Sequence, residues 1–254
     1  MIDIHSHILP GIDDGCQTLD NALAMARMAV ADGISTIIAT PHHASGRFWN
    51  EAPLVCERVA LLNMELEKEA LPVTIAAGQE VRVYDDLLND LAAGKLQTLN
   101  GSRYLLVEFP SGKVPPRFHE TIHELRLLGL IPVIAHPERN VELASSPDKL
   151  QELVEAGALA QVTTHSLLGS FGRKIQQLSI TMCERNLIHF VASDAHDCRH
   201  RAIGLREAGR VIEAKLGESY WSYCQRNAQL LLENESIEGR FPTKSTKKWY
   251  TFWR

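Results

Sequence analysis

The sequence predicts a distorted (β/α)7 barrel of the TIM-like type. Seven short, apolar and largely β-branched segments alternate with amphipathic helical segments along 254 residues, which is typical of parallel strands covered by helices on both faces. A unit of helix, glycine and buried strand recurs, with its glycine at Gly33, Gly129 and Gly157. The alternative is an open doubly wound sheet, and the chain has no glycine-rich phosphate loop to favour it.

The predicted strands share a short, nearly continuous apolar pattern. They cover residues 2–5, 34–39, 73–77, 104–107, 130–135, 158–163 and 188–192. The first helix is the best marked, because Thr18 is a suitable N-cap, apolar residues follow at helical spacing and Gly33 suits the C′ position. The other predicted helices cover residues 52–69, 85–93, 119–128, 147–156, 170–185, 201–215 and 219–234.

The composition is that of a globular protein. The 26 Lys and Arg against 31 Asp and Glu give a net charge of −5, which disfavours a nucleic-acid surface over the whole molecule. The five cysteines lack CxxC spacing and predict reduced thiols in a cytoplasmic protein. We expect neither a secretory signal nor membrane insertion, because no suitable apolar run occurs. The oligomeric state stays open.

The composition changes near the C-terminus. Residues 239–254 are basic and aromatic and contain no acidic residue, so we predict a barrel domain over residues 1–238 and a separate arm over 239–254. Two interpretations of the arm remain open, a loose or packed terminus and a docking segment for an anionic or protein partner.

Histidines and carboxylates gather where the predicted strands end. His5 and His7 alternate along an extended segment, so both imidazoles can reach one metal ion. Asp194 and His196 repeat this spacing on another strand. The other members are Asp14, His42, Glu80, Glu108 and His136. Since the active sites of β/α barrels lie at the carboxyl ends of the strands, the pattern predicts a metal-dependent active site.

The chemistry of these residues favours several cations and hydrolysis. Four carboxylates, Asp14, Glu80, Glu108 and Asp194, would repel one another unless more than one divalent metal compensated them. Imidazole and carboxylate ligands without thiolate suit Mn²⁺, Fe²⁺ or Zn²⁺. Clustered metals polarise a phosphoryl oxygen and lower the pKa of a bound water, which favours hydrolysis.

Two arginines follow the predicted ligands. Arg139 comes three residues after His136, and Arg201 comes five residues after His196. Each by itself is equally consistent with a surface salt bridge. Together, beside a metal cluster, they fit a bidentate clamp for a phosphate dianion.

Seven motifs carry a family resemblance, in order from residue 1 to about residue 235. They are Asp3-Ile4-His5-Ser6-His7, Gly11-Ile12-Asp13-Asp14-Gly15, Thr40-Pro41-His42-His43, Gly78-Gln79-Glu80, Val107-Glu108, Ala135-His136-Pro137-Glu138-Arg139 and Ser193-Asp194-Ala195-His196. They resemble the polymerase-and-histidinol-phosphatase (PHP) superfamily of metallohydrolases. More narrowly, they are similar to the bacterial PHP-type tyrosine phosphatases of capsule and exopolysaccharide gene clusters.

The resemblance implies a PHP-type barrel with three divalent metal ions, preferably Mn²⁺. One ion would be held by His5, His7, a bridging Glu80 and Asp194. Glu80, Glu108 and His136 would hold the second, and Asp14, His42 and His196 the third. Arg139 and Arg201 match the arginines that grip the phosphoryl group.

The resemblance also implies a substrate and a mechanism. The family acts on the phosphotyrosine-rich C-terminal tail of the bacterial tyrosine kinase that controls polysaccharide export. A metal-bridging hydroxide would attack phosphorus in line, without a phosphoenzyme. In agreement, none of the five cysteines is followed by arginine in the CxxxxxR pattern of the thiol-dependent tyrosine phosphatases.

Two other functions are weighed. A histidinol-phosphatase-like enzyme for small phosphomonoesters would use the same metal chemistry but is better served by an enclosed pocket than by an open mouth. A regulatory or nucleic-acid-associated PHP domain is disfavoured because all nine ligand positions are filled. His43 could be a general acid or a partner of a ligand, and for His165 we favour a polar loop residue over a role at the site.

Overall fold

The structure is a computed structural model that describes residues 1–239. Its strands are β1 (Ile2–Ser6), β2 (Thr36–Ala39), β3 (His42–Ser45), β4 (Phe48–Trp49), β5 (Thr74–Ala77), β6 (Glu80–Arg82), β7 (Tyr104–Glu108), β8 (Ile131–Ala135), β9 (Leu159–Thr163) and β10 (Phe190–Ala192). Except for Gly239, the predicted arm 239–254 lies outside the described residues, and the domain boundary stays a prediction.

Helices alternate with the strands along most of the chain. They are α1 (Leu19–Asp32), α2 (Ala52–Lys68), α3 (Leu87–Ala92), α4 (Phe118–Leu127), α5 (Val141–Ser145), α6 (Pro147–Glu155), α7 (Thr164–Leu168), α8 (Arg173–Glu184), α9 (Leu205–Leu216) and α10 (Glu218–Leu232). Short 3₁₀ turns cover Leu99–Gly101 and Pro137–Arg139. Within the part of the chain that is described, no helix is long and apolar enough to cross a membrane.

The strands form two sheets, and every pairing between named strands except the β3–β4 hairpin is parallel. The smaller sheet has the order β1-β2-β5, and the larger has the order β10-β9-β8-β7-β6-β3-β4. The predicted mixed architecture of parallel strands and helices is confirmed. All five residues of β7 and of β9 are buried, as expected for strands covered on both faces.

The predicted closure into a (β/α)7 barrel is not observed, because the two sheets do not join into one ring. The predicted strand 34–39 is β2, and the chain then crosses to the other sheet at Thr40-Pro41 before β3. Pro41 has no N–H to continue a ladder. A single parallel bridge between Ser6 and Ala195 connects the end of β1 to the segment after β10.

Helix α1 shows how local sequence sets the boundaries of an element. The Thr18 side chain accepts a hydrogen bond from the backbone N–H of Asn21, which caps the helix as predicted. Gly33 ends it with φ of 86° and donates its N–H to helix carbonyls, a left-handed conformation that glycine adopts without strain. The next residues then enter β2.

Candidate metal centre

The nine side chains predicted as metal ligands converge at the carboxyl ends of the parallel strands. Their elements explain the convergence. His5 and His7 lie at the end of β1, Glu108 ends β7 and His136 directly follows β8. His42 and Glu80 come three residues after the ends of β2 and β5, as the first residues of β3 and β6. The nine form one continuous network of contacts, His5, His7, Asp14, His42, Glu80, Glu108, His136, Asp194 and His196.

Glu80 is at the centre of the cluster and is fully buried. Its Oε1 lies 2.8 Å from Nε2 of His136. Its Oε2 lies 2.9 Å from Nδ1 of His42, 3.4 Å from Nε2 of His7 and 3.5 Å from Nε2 of His5. One carboxylate thus contacts imidazoles from three separate strand ends, which suits the bridging position predicted for it.

Asp194 closes the cluster from the segment after β10. Its Oδ1 lies 3.4 Å from Nε2 of both His5 and His7. Glu108, at the end of β7, offers a carboxylate oxygen within 4.8 Å of ligand atoms of His42 and Glu80. These contacts place imidazole and carboxylate atoms around a common centre.

Asp14, His42 and His196 form the outer side of the cluster. Oδ1 of Asp14 lies 3.4 Å from Nε2 of His42 and 3.5 Å from Nε2 of His196. The Asp14 side chain is half-exposed, so this side opens to solvent. His7 also belongs here, because ligand atoms of His7, Asp14, His42 and His196 lie within 4.8 Å of one another.

Unpartnered buried atoms show that the residues fit divalent cations. Five ligand atoms are buried without an aligned hydrogen bond from any described residue, Glu80 Oε2, Asp194 Oδ1, Glu108 Oε2, His42 Nδ1 and His196 Nε2. A buried polar atom without a partner costs about 1–3 kcal/mol. These atoms are gathered in one cluster, and they are imidazole nitrogens and carboxylate oxygens, which are the ligands that Mn²⁺, Fe²⁺ and Zn²⁺ take in proteins.

The electrostatics of the carboxylates point the same way. Burial raises the pKa of Glu80. The charges of His5 and His42 and hydrogen bonding with His136 lower this pKa by more, so that it lies well below its ordinary value. Burial and the charge of Glu80 raise the pKa of Glu108. The repulsion between these two carboxylates is the kind that bound cations relieve.

Strained backbone positions two of the predicted ligands. His136 has φ of 34° and Asp194 has φ of 53°, a left-handed region that costs non-glycine residues energy and that often occurs at functional sites.

Gly15 is required because of close packing, since a Cβ there would lie 2.1 Å from the carbonyl oxygen of His7. Its absence lets the loop that carries Asp14 pack against the end of β1.

Two residues that the sequence analysis did not single out orient the ligands. The Asp13 carboxylate lies 2.7 Å from Nδ1 of His7 and accepts the backbone N–H of His42 at 3.2 Å. Oε1 of Gln161 lies 3.1 Å from Nδ1 of His5. Both contacts turn Nε2 of the imidazole toward the cluster. Asp13 is next to Asp14 in its motif, and Gln161 is a polar residue within a mostly apolar predicted strand, so the sequence contained a sign of each.

Arg139 and Arg201 meet at the same carboxylate. Nη1 of Arg139 lies 2.6 Å from Oδ2 of Asp194, and Nη2 of Arg201 lies 2.5 Å from the same oxygen. Both side chains are about one-third to one-quarter exposed, so neither is an ordinary surface salt bridge. Arg82 pairs with Glu108, with Nε to Oε2 at 2.9 Å.

Two further histidines that the sequence singles out, His43 and His165, contact backbone carbonyl oxygens. His43 follows His42 on β3 and therefore points to the other side of the strand, where its Nδ1 lies 2.9 Å from the carbonyl oxygen of Asn50. The prediction that His165 is a polar loop residue is wrong. His165 is buried on α7, with Nδ1 3.2 Å from the carbonyl oxygen of Ser193, the residue before Asp194. It is placed there because β9 leads directly into that helix.

Comparison with known proteins agrees with this geometry. The family model for capsular polysaccharide synthesis, CpsB/CapC, matches residues 1–233. The chain belongs to the CpsB/CapC family. The predicted resemblance to capsule-type tyrosine phosphatases is thereby confirmed, and the PHP superfamily is consistent with it.

Individual CpsB/CapC relatives match almost the whole chain. Tyrosine-protein phosphatase YwqE of Bacillus subtilis is 46% identical over 237 residues, 93% of each chain. CapC of Staphylococcus aureus is 39% identical over 254 residues, 98% of this chain and 99% of the relative. A crystal structure from work on YwqE of B. subtilis and CpsB of Streptococcus pneumoniae, described as unique metal-dependent tyrosine phosphatases, matches with a TM-score of 0.95 and 45% identity. It covers 97% of this chain and 100% of that one.

Proposed function

We propose that this protein is a metal-dependent tyrosine phosphatase that hydrolyses the phosphoric monoester of phosphotyrosine. The observation that carries the proposal is the cluster of nine imidazole and carboxylate side chains with two arginines on its Asp194 edge. The predicted enzyme class is confirmed by relatives named tyrosine-protein phosphatases, the first at 46% identity.

The cofactor we propose is a set of three divalent ions, with Mn²⁺ as the first choice. Support comes from three groups of residues whose ligand atoms lie within 4.8 Å of one another. They are His7 with Asp14, His42 and His196; His5 with His7 and Glu80; and His42 with Glu80 and Glu108. Bound there, the ions would polarise phosphoryl oxygens and supply a water of lowered pKa.

The protein's own residues would bind and orient the phosphate. Arg139 and Arg201 reach the cluster from two different strand ends, and their guanidinium groups can hydrogen-bond two phosphoryl oxygens in fixed directions. Asp194 keeps both groups in place before substrate binds. Charge that develops on the equatorial oxygens would be stabilised by the same donors.

The cavity at the site is too small to enclose a metabolite-sized ligand, which favours a protein substrate over a small metabolite. The cavity beside His136 and Arg139 has a volume of about 130 Å³, whereas pockets that enclose small molecules are typically about 300–1,000 Å³. We propose the phosphotyrosine tail of a capsule-regulating tyrosine kinase as the partner, and no nucleic acid. We also propose a cytoplasmic location, because the five cysteines form no disulfide bond within residues 1–239.

Hydrolysis by metal-stripped protein tests the proposal. A phosphotyrosine peptide and histidinol phosphate would be compared, with Mn²⁺, Zn²⁺ or Mg²⁺ added back. We expect metal-restored release of phosphate from the peptide and its loss in His136→Ala. Release from histidinol phosphate alone would favour the small-molecule phosphatase, and release from neither would favour the regulatory domain.

The arginine clamp has its own test. We expect Arg139→Ala and Arg201→Ala each to lower kcat/KM by roughly 10²-fold, because each removes a charge-assisted hydrogen bond to the phosphoryl group. Metal content, measured by atomic emission, should stay unchanged. Arg27→Ala is the control, since Arg27 pairs with Glu69 on exposed surface. Full activity in both clamp variants would remove the arginines from the mechanism.

A further inference from the structure

Phe171 is an aromatic side chain beside the arginine edge of the cluster that the proposed function does not use. It lies in the turn between α7 and α8, flanked by Gly169 and Gly172, which have φ of 82° and 91°. The side chain is 37% exposed. The centre of the Arg139 guanidinium lies 5.3 Å from the centroid of its ring, and the His165 ring lies 6.0 Å away.

The position of Arg139 links Phe171 to the substrate. One end of the guanidinium is hydrogen-bonded to Asp194, and its central carbon lies over the ring of Phe171, within the 6 Å range of cation–π contacts. A phosphate bound by Arg139 therefore lies next to the aromatic ring.

The rest of the substrate must leave the cluster on the exposed side. The inner side is filled by His5 and Glu80, which have no exposed surface. The group esterified to the phosphate consequently points outward, past the partly exposed side chains of Arg139 and Phe171. In phosphotyrosine this group is a phenyl ring, which packs favourably against another aromatic ring.

We propose that Phe171 contacts the phenyl ring of phosphotyrosine and selects aryl phosphates at this site. The proposal rests on the proposed function and adds a residue that determines specificity. Arg139 binds the phosphate, Phe171 binds the ring, and the contact between the two side chains fixes the distance between these subsites.

A comparison of two ligands separates the ring from the phosphate. KM would be measured for a phosphotyrosine peptide, and the inhibition constant for inorganic phosphate, which has no ring. We expect Phe171→Ala to raise KM for the peptide roughly three- to tenfold, the size of an aromatic pair. The inhibition constant of inorganic phosphate should change less than about twofold, because Asp194 still holds Arg139.

Two further variants complete the test. Phe171→Tyr should restore KM because it keeps the ring. Leu127→Ala is the matched control, since Leu127 is 74% exposed and precedes the amino end of β8, away from the cluster. Equal weakening of peptide and inorganic phosphate, or no change in either, would overturn the role in specificity. Failure of the unmodified protein to hydrolyse the peptide would instead overturn the proposed function, and the Phe171 proposal with it.

Discussion

Two histidines predicted as metal ligands, His5 and His7, are oriented by hydrogen bonds on the ring nitrogen that faces away from the cluster. Asp13 contacts Nδ1 of His7 at 2.7 Å, and Gln161 contacts Nδ1 of His5 at 3.1 Å. Each contact fixes a tautomer with a free lone pair on Nε2, the atom that meets Glu80 and Asp194.

Replacing Asp13 by asparagine should weaken metal binding. The amide oxygen can still accept a hydrogen bond, but it lacks the charge that makes His7 a stronger ligand, so we expect affinity for Mn²⁺ to fall about 10- to 100-fold. Calorimetric titration of the metal-free protein measures this. Asp20→Asn on the exposed start of α1 should have no effect, and equal affinity in Asp13→Asn would contradict the role.

The buried residue His189 affects the stability of the fold rather than the candidate metal centre. His189 is almost completely buried before β10, and its Nδ1 accepts the backbone N–H of Ala160 at 3.2 Å. Burial lowers the pKa of His189 from 6.5 to about 4. The unfolded chain therefore takes up a proton near pH 6.5, which the folded protein does not bind until the pH is much lower.

This difference predicts that acid destabilises the fold. The contribution of neutral His189 to the free energy of unfolding is fully present above pH 6.5 and is lost as the pH falls from 6.5 towards 4. The loss amounts to about 2 kcal/mol at a pH of about 5. Urea unfolding near pH 7 and near pH 5 would compare the protein with His189→Gln. We expect a smaller loss of unfolding free energy in the variant, and an identical loss in both would contradict the argument.

At the scale of elements, the boundaries follow from local signals. Thr18 and Gly33 delimit α1, and Asn140 caps α5 by accepting the N–H of Leu143 at 3.0 Å. These contacts involve neighbouring residues only, so they form wherever the chain is helical.

Removal of the Thr18 cap should lower stability without altering activity. We expect Thr18→Ala to lower the free energy of unfolding by about 1 kcal/mol, because the N–H of Asn21 loses its acceptor. Thermal and urea unfolding measure the change, and Thr18→Ser should retain most of the stability. Activity should be unaffected, since α1 supplies none of the nine side chains. A loss of metal binding would show that α1 also supports the site.

For the whole molecule, we expect the cluster to couple metal binding to folding. Four carboxylates from separate strand ends approach one another only in the folded chain, so cations bind the folded state preferentially. At a Mn²⁺ concentration about 100 times its Kd, each occupied site should add about 2.7 kcal/mol to the free energy of unfolding. The melting temperature should therefore rise with Mn²⁺ and rise less in His136→Ala. Equal melting temperatures with and without Mn²⁺ would contradict the coupling.

Much of the fold could be predicted from periodicity. The segments 104–107, 130–135 and 158–163 become β7, β8 and β9 with boundaries within one residue, because short, continuous apolar runs between polar loops are typical of buried parallel strands. The strands β3, β4 and β6 could not be predicted, since β3 and β6 are short and rich in polar residues and β4 has only two residues. Their strand conformation comes from pairing with neighbouring strands.

The sequence by itself determined the residue types, their order at the strand ends and the chemistry that imidazole and carboxylate support. Only the tertiary structure decided which atoms meet. Asp13 contacts His7, Asp194 holds Arg139 and Arg201, and Phe171 lies against a guanidinium because parallel strands bring distant segments to one edge. That the strands form two sheets instead of one closed barrel was likewise decided by the tertiary structure, because hydrogen bonding between strands depends on register, which apolar patterning alone does not specify.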